Sequence, residues 1–579
     1  MLVLVGLGLG FYLWPLTQTE VLPGKPGDIY YYLWQAKWFC PNFFAGKFRV
    51  TDFFWPGGVN LQGGYVAPLL YALTCPLYWL GPRVVIQAIY AMQVVVLLLV
   101  SVWTAGKYLK NDWLRVSFVF LYAFCGFYLV RIGEHVDLIS TLWATALIFT
   151  LLDWWDVLSW KQTVVVAVAV AASFLCSWQN IANLTFLIVI MATAKLKSWK
   201  WVKEKWRKLV ANLVVGVVVF IVCFLPLSWP MISYNLKQLG QAPPDDGVKT
   251  NMNLIQWVVP ANQLREEFLP LLRQLNQRVS ILETTNPVDM VIVIMGGAGV
   301  MYLIITGKLR PKRRDALLAV VYGLLPFGDN LSVNGEGMIA LPYYRWLAAV
   351  PPLSLTRTPA RLGVVLVFLV TLWTLVFVDW LLKSKKRWGW LERGAKLVAV
   401  YSVVSTTVLA NNVQLSVFED VKLFPMEALE QIRQAPTEVK VLDVPLSIGV
   451  YQVPDYLQLV HGHQIITGYV PYSTQTGETL KTIDSDLVLR QLECEGTSYK
   501  PSGMLVGKIG ADEFGGAMKR NGIGYVIVHK AILRYPECAR VKEIVDGVVD
   551  DQRLRLLSSK TDFWIYQIVD DNSPDPYLH

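Results

Sequence analysis

Apolar runs of about 15 to 20 residues recur along this chain from its first residue to about position 413, divided by short polar or basic segments, and then cease. Each run is close to the roughly 20 residues that an α-helix needs to cross the hydrocarbon of a bilayer. The pattern predicts a polytopic α-helical membrane body over residues 1–413, with spans at about 1–17, 84–106, 116–130, 138–155, 163–178, 181–194, 209–228, 289–306, 315–327, 362–382 and 397–413, about eleven in all. Residues 65–80 are long enough for a short span too. Counting them would put the basic loops on the outer side, so they read as a re-entrant or interfacial helix. From about 414 the periodicity changes. Helical patterns at 424–435, 485–492 and 511–519 alternate with strand patterns at 439–444, 525–529 and 562–569, predicting a small C-terminal α/β domain over residues 414–579.

Composition strengthens the membrane reading. With 54% hydrophobic and 16% charged side chains over 579 residues, and a mean hydropathy of +0.42, the chain is too apolar for a soluble protein of its length. The net charge of +9 gathers in short loops: Lys107, Lys110 and Arg115; Lys195 to Lys208; Lys308 to Arg314; and Lys383 to Lys396. Such residues are retained on the cytoplasmic side, so the charge gives no case for nucleic-acid binding. This orientation predicts a multi-pass protein of the plasma (cytoplasmic) membrane with its N-terminus inside and its C-terminal domain extracytoplasmic. The loops 18–64, 131–137, 229–287 and 328–361 then face outward. The first span is short and has no basic residue before it, which reads as a truncated start, and it lacks the small-residue cleavage site of a signal peptide. Among the seven cysteines, Cys75, Cys125, Cys176 and Cys223 read as small packing residues, whereas Cys494 and Cys538 could pair in an extracytoplasmic tail.

The polar residues that are not retention signals collect on the predicted outer face. Asp28 opens the aromatic segment Tyr30-Tyr31-Tyr32-Leu33-Trp34, which predicts a helix lying in the membrane interface. A carboxylate at a membrane surface is costly, and Asp28 suits both a helix cap and a general base. The turn from Arg131 to Asp137 packs Arg131, Glu134, His135 and Asp137 between two spans, and a histidine between acids suits proton transfer or substrate contact. Arg357 and Arg361 stand at the outer entrance of the tenth span, against the retention rule. They are four residues apart, on one face if helical, so they suit a lipid phosphate or pyrophosphate; snorkelling to headgroups is the plainer account. In the tail, His461 and His463 would project to one side of an extended segment, as acceptor-site candidates. No ligand spacing supports a divalent metal, and no cofactor is predicted.

Together these landmarks resemble the GT-C superfamily of membrane glycosyltransferases, and most closely a prokaryotic branch grouped with the dolichyl-phosphate-mannose protein mannosyltransferases. The resemblance covers most of the chain. Its pieces are Gly27-Asp28, Trp55-Pro56-Gly57-Gly58-Val59-Asn60-Leu61, Gly133-Glu134-His135-Val136-Asp137, Leu341-Pro342-Tyr343-Tyr344 and Arg357-Thr358-Pro359-Ala360-Arg361. In the tail, Leu442-Asp443-Val444-Pro445, the run from His461 to Tyr469 and Tyr525-Val526-Ile527-Val528-His529 also match. The resemblance implies transfer of a sugar, with inversion, from a polyprenyl-phosphate-linked donor to an acceptor hydroxyl on a glycan, lipid or protein. Asp28 would be the base, with Arg357, Arg361 and Arg131 at the lipid phosphate. Many members carry paired acids in the first loop; here Ile29 follows Asp28, and Asp52 is the next acid, so Asp52, Glu134, His135 and Asp137 are the candidates for a second acid or the acceptor site. A flippase or transporter of lipid-linked saccharides, or a membrane scaffold with a glycan-binding tail, would account for the same polytopic chain. The flippase reading calls for mid-membrane charges and paired repeats that the sequence does not display.

Overall fold

The structure is a computed structural model, described here for residues 6, 21–23, 28–62, 67–125, 127–128, 135–196, 199–237, 292, 295–296, 313–328, 330–333, 336–341, 359–384, 389–420, 424–446, 453–468, 477–494, 509–549, 553–560 and 562–569. The first part comprises β1 (Val21–Pro23), α1 (Asp28–Asn42), β2 (Arg49–Val50), β3 (Val59–Asn60), α2 (Pro68–Thr74) continued by a 3-10 turn Cys75–Leu80, α3 (Pro82–Tyr108), α4 (Asp112–Phe118), α5 (Ile139–Trp154), α6 (Trp160–Cys176), α7 (Gln179–Thr193) and α8 (Trp199–Lys237). There follow α9 (Arg313–Leu324), the hairpin β4 (Asn330–Val333) and β5 (Glu336–Ala340), α10 (Val364–Ser384), α11 (Gly389–Val417) and β6 (Phe418–Asp420). Three described helices are long and apolar enough to cross a membrane on their own: Pro82–Tyr108, Lys200–Tyr234 and Pro359–Lys383.

The predicted basic loops converge on one end of this bundle. Asp153, near the end of α5, accepts from Arg314 (2.8 Å) and from the Tyr108 hydroxyl (2.9 Å), and its carbonyl takes Lys195 at 2.8 Å. Asp379, near the end of α10, pairs with Lys383 at 2.5 Å and caps the backbone N–H groups of Lys110 and Asn111. Carboxylates placed there anchor cations contributed by three separate basic segments, through Lys107, Arg314 and Lys383. At the opposite end of α5, the chain enters from the turn that carries His135 and Asp137.

Several expectations change. The span predicted at 209–228 belongs to a 39-residue helix reaching back into the basic segment and forward into the predicted outer loop, because basic residues on a helix look like loop when charge alone is read. The last span lengthens for the same reason, with Arg393 and Lys396 inside α11. The third is interrupted: α4 passes into a π turn, Val119–Ala123, and ends at Phe124. The first-loop helix α1 does not lie open to an interface; residues 29–36 are all buried, since its aromatics pack on protein. Cys75 is not a lone packing residue but is disulfide-bonded to Cys40 of α1. The predicted spans at 1–17 and 289–306 lie almost wholly outside the described residues.

From Phe424 the chain forms α12 (Met426–Arg433), β7 (Lys440–Val444), α13 (Val453–His461), α14 (Gly477–Ser485), α15 (Leu487–Gln491), α16 (Ala511–Arg520), β8 (Ile523–His529), α17 (Ala539–Val548), β9 (Leu554–Ser559) and β10 (Phe563–Ile568). The strands make one sheet in the order β7-β8-β10-β9, with β7 and β8 parallel. The helix predicted at 485–492 is two helices meeting at Asp486, whose side chain caps the second. Periodicity missed α13, nearly all of α14, α17 and β9. Cys494 and Cys538 are disulfide-bonded, tying the end of α15 to the start of α17.

The first loop completes this sheet. Residue 465 bridges in parallel to Val441 on the free edge of β7. Its N–H donates to the Asp52 carbonyl (2.9 Å), while Trp55 N–H donates to the Ile465 carbonyl (3.1 Å). The sheet edge, otherwise a row of open donors and acceptors, is thereby covered. Gly58 makes the local turn possible: it sits at φ +70°, and a Cβ there would fall 2.4 Å from the Val50 carbonyl oxygen. Around the junction, Trp34 Nε1 donates to Gln458 (3.0 Å), the Lys440 ammonium lies 3.5 Å from the centre of the Trp55 ring, and Tyr30 packs against Phe424 and Tyr456. The start of the loop is pinned as well, since β1 pairs antiparallel with β6.

Candidate functional site

Helix α1 begins at Asp28, directly after Pro26-Gly27, which favour a turn over helix, and an acid in a first turn also suits the helix dipole. Position 32 lies one turn along the same face. There the Tyr32 hydroxyl donates to Asp137 Oδ1 (2.9 Å), and Ser177 Oγ, from the turn between α6 and α7, donates to Asp137 Oδ2 (2.7 Å). Asp137 is buried, so each of these bonds serves a carboxyl group that water barely reaches. The Tyr71 hydroxyl donates to the Tyr32 carbonyl (3.3 Å), and Gln93, itself held by Trp143 at 2.5 Å, donates to the Val136 carbonyl. The turn before α5 and the start of α1 are thus fixed to each other from three helices.

Two residues before Asp137, the ring of His135 is buried, and its Nε2 lies 3.4 Å from Arg361 Nη2. With Nε2 as acceptor, the imidazole carries its proton on Nδ1 and the guanidinium donates. Arg361 stands in the 3-10 turn Pro359–Gly363 that leads into α10. The structure therefore brings Tyr32 of α1, His135, Asp137 and Arg361 into one neighbourhood. Arg131, Glu134 and Arg357 lie outside the described residues.

Beside Asp137 runs a set of buried uncharged polar groups that the sequence reading passed over. Asn180 donates to Ser140 Oγ (2.8 Å) and to the Ser173 carbonyl, and Gln179 donates to Asn183. Gln35, three residues beyond Tyr32, is fully buried, and neither amide atom has a hydrogen-bond partner among the described residues. The same holds for Thr141 Oγ1, Asn180 Oδ1 and Asn183 Nδ2. Burying such a group unmet costs about 1–3 kcal/mol. The signal available in sequence was a polar residue every three or four positions, as at 137, 140 and 141 and at 177, 180 and 183, inside otherwise apolar runs.

Asp52, His461 and His463 belong to the junction between first loop and tail instead. Burial raises the Asp52 carboxyl above its ordinary value, with Lys37 of α1 pulling the other way. Burial likewise lowers Lys37, although that residue keeps substantial solvent contact; Asp52 opposes the shift and Arg433 adds to it. Lys37 is nine residues from Asp28, about 13 Å along the helix axis. His461 ends α13 and Gly462, at φ +79°, turns the chain, so the two histidines are not on one extended strand as the sequence suggested. His463 has Nδ1 at 2.9 Å from the Val439 carbonyl and Nε2 at 2.7 Å from the Ile432 carbonyl. His461 Nδ1 accepts the His463 N–H (3.1 Å), and burial, then His463 and Lys37, push its pKa down to about 3. Asp443 and His529, at the ends of the parallel strands, form a fully buried pair at 2.7 Å. Among the described residues no group of three or more His, Cys, Asp or Glu could hold a metal ion.

Neither a protein-family profile nor a curated protein sequence matches the chain. Solved structures do. ArnT from Cupriavidus metallidurans in the apo state superposes with a TM-score of 0.52 at 13% identity, covering 98% of this chain and 97% of that one. The same protein bound to undecaprenyl phosphate gives 0.52 at 13%, covering 99% of each chain. The arabinofuranosyltransferase AftD from Mycobacteria gives 0.55 at 13%, covering 98% of this chain and 41% of the larger one. Over nearly its whole length, the chain thus shares the fold of ArnT.

Proposed function

We propose that the protein is a membrane glycosyltransferase that moves a sugar, with inversion, from a polyprenyl-phosphate-linked donor to an acceptor hydroxyl on a glycan, lipid or protein. The observation that carries the reading is the bond from Tyr32, one turn after Asp28, to Asp137, with the His135–Arg361 contact two residues away. It ties α1, one turn beyond Asp28, to the turn whose His135 meets the Arg361 guanidinium, and so supports a base and a phosphate-binding cation at one site. The fold is that of ArnT, a protein solved with undecaprenyl phosphate bound, so a lipid phosphate is the donor chemistry to test first.

In this mechanism Asp28 takes the proton of the acceptor hydroxyl as its oxygen attacks the anomeric carbon. The bond from that carbon to the phosphate oxygen breaks, and the lipid phosphate leaves with the electron pair. Arg361, joined by Arg357 and Arg131, offsets the negative charge that develops there. Guanidinium suits this role because it stays charged and binds phosphate with two N–H groups at once. The two disulfides, one in the first loop and one in the tail, favour an oxidising compartment, so we assign both regions and the site to the outer face. About eleven spans within residues 1–413, and an α/β domain over 414–579 that roofs the site and selects the acceptor, complete the assignment.

The test is transfer of radiolabelled sugar from a panel of polyprenyl-phosphate sugars in membranes holding matched amounts of wild type and Asp28→Asn. A positioned base contributes roughly 100- to 10,000-fold, and a loss of that size is expected in the variant. Unchanged transfer would remove Asp28 from the mechanism; no transfer from any donor would overturn the glycosyltransferase reading.

A further inference from the structure

Two tail segments in the family resemblance, Leu442-Asp443-Val444-Pro445 and Tyr525-Val526-Ile527-Val528-His529, end the neighbouring parallel strands β7 and β8. Each sets one ionisable side chain near the end of an apolar strand, and a buried group of that kind has to be met. They meet each other: His529 Nε2 lies 2.7 Å from Asp443 Oδ1, with both side chains sealed from water. The bond fixes how the imidazole is turned. Phe563, opposite His529 in the β8–β10 register, packs against that ring with centroids 5.3 Å apart. From Phe563 the contacts run to Phe424 (5.7 Å), and from Phe424 to Tyr30 (6.1 Å). Tyr456 packs on both Phe424 (4.8 Å) and Tyr30 (5.5 Å). Tyr30 is fully buried and stands two residues after Asp28. Trp34, one turn along the same face of α1, bonds Gln458 of α13. The tail thus holds one face of α1, while Tyr32 ties the same helix to Asp137.

We propose that Asp443 and His529 are positioning residues for the transfer reaction: through Phe563, Phe424 and Tyr30, their bond sets the place of the first turn of α1. The inference rests on the glycosyltransferase reading, with Asp28 as its base, and it gives the tail a part in the chemical step beyond choosing the acceptor. Every member of the series is buried and packed on its neighbours. Close-packed rings pass a displacement on, because no void takes it up. A tail that acted on acceptor binding alone would govern KM; one that also sets α1 governs kcat.

The experiment measures initial-rate transfer by the full chain in proteoliposomes, beside hydrogen–deuterium exchange of residues 28–36, for Asp443→Ala, Phe424→Leu and Asp486→Ala. Asp486 caps α15 and bonds Arg520 and Asn521, so its loss weakens the same domain away from the rings. Misplacing a reacting group by about 1 Å costs on the order of 100-fold, so Asp443→Ala should lower kcat roughly tenfold or more with KM within about twofold. Phe424→Leu interrupts the rings without unpairing a buried charge and should also lower kcat, so the test stands even where Asp443→Ala fails to fold. Asp486→Ala should lower the thermal midpoint and leave kcat within about twofold. In a Tyr30→Leu background, Asp443→Ala should cost nothing further, because the two act in series. Wild-type kcat in Asp443→Ala and Phe424→Leu, an equal loss in Asp486→Ala, or losses that simply add to that of Tyr30→Leu would each overturn the proposal. Exchange separates it from the transferase. If wild type transfers from no donor, faster exchange at 28–36 in Asp443→Ala but not in Asp486→Ala keeps the hold of the tail on α1 and sinks the transferase; equal exchange in the two variants sinks both.

Discussion

Tyr32→Phe deletes one oxygen and tests whether the Tyr32–Asp137 bond positions the reacting end of α1. The hydroxyl donates at 2.9 Å to a buried carboxyl group that has one other side-chain donor among the described residues, Ser177 at 2.7 Å. A hydrogen bond to such a group contributes about 1.5–3 kcal/mol net. Expressed wholly in the placement of Asp28, one turn away, that is roughly a 10- to 150-fold fall in kcat/KM. Ser177→Ala removes the partner bond from the other oxygen and destabilises by a similar amount, but it loosens the α6–α7 turn rather than α1. Its expected loss in kcat/KM is therefore several-fold smaller than that of Tyr32→Phe. The assay is initial-rate sugar transfer in proteoliposomes beside thermal unfolding of the same preparations. A Tyr32→Phe enzyme within about twofold of wild type, or a Ser177→Ala enzyme equally impaired in transfer, would refute the positioning argument.

Two further outcomes follow from the tail and its disulfides. His461 titrates at about 3 in the fold against about 6.5 in an unfolded chain, so the unfolded state binds more protons between these values and stability falls as pH drops below about 6.5, by at most about 1.4 kcal/mol per pH unit. Thermal midpoints from pH 7.5 to pH 5 should fall less steeply in His461→Asn than in wild type; parallel curves would show that His461 is not the group responsible. The Cys494–Cys538 bond closes a separation of 44 residues, for which chain entropy gives about 4 kcal/mol. Wild type denatured without reductant should expose three thiols, those of Cys125, Cys176 and Cys223, rising to all seven with reductant. More than three before reduction would contradict the pairing.

Much of the site was legible because ionisable residues are scarce in an apolar chain. Asp28, His135, Asp137 and Arg361 stood out for that reason, and the structure draws the last three together with Tyr32 through the Tyr32–Asp137 and Arg361–His135 contacts. Charge and hydropathy say nothing of partners across the chain, which is why the sequence did not reveal that the Asp52 carbonyl meets Ile465 or that His463 bonds the Ile432 and Val439 carbonyls within the tail. Uncharged amides such as Gln35 and Asn180 were invisible for the opposite reason: inside helices they read as packing. Cys40 and Cys75 gave no signal, being 35 residues apart with no framework spacing. The length of α8 was hidden by its lysines, because retention and helix ends share the same residues.

The sheet that residues 52–55 extend has its partners at opposite ends of the gene product. Helix α1 is made early, yet the surfaces that cover Tyr30 and Trp34 come from Phe424, Tyr456 and Gln458, about 400 residues later. A chain synthesised only as far as residue 420 leaves that helix uncovered and residues 52–55 without Ile465. The order of synthesis thereby leaves the cover of α1 incomplete until residues 424–465 have been made.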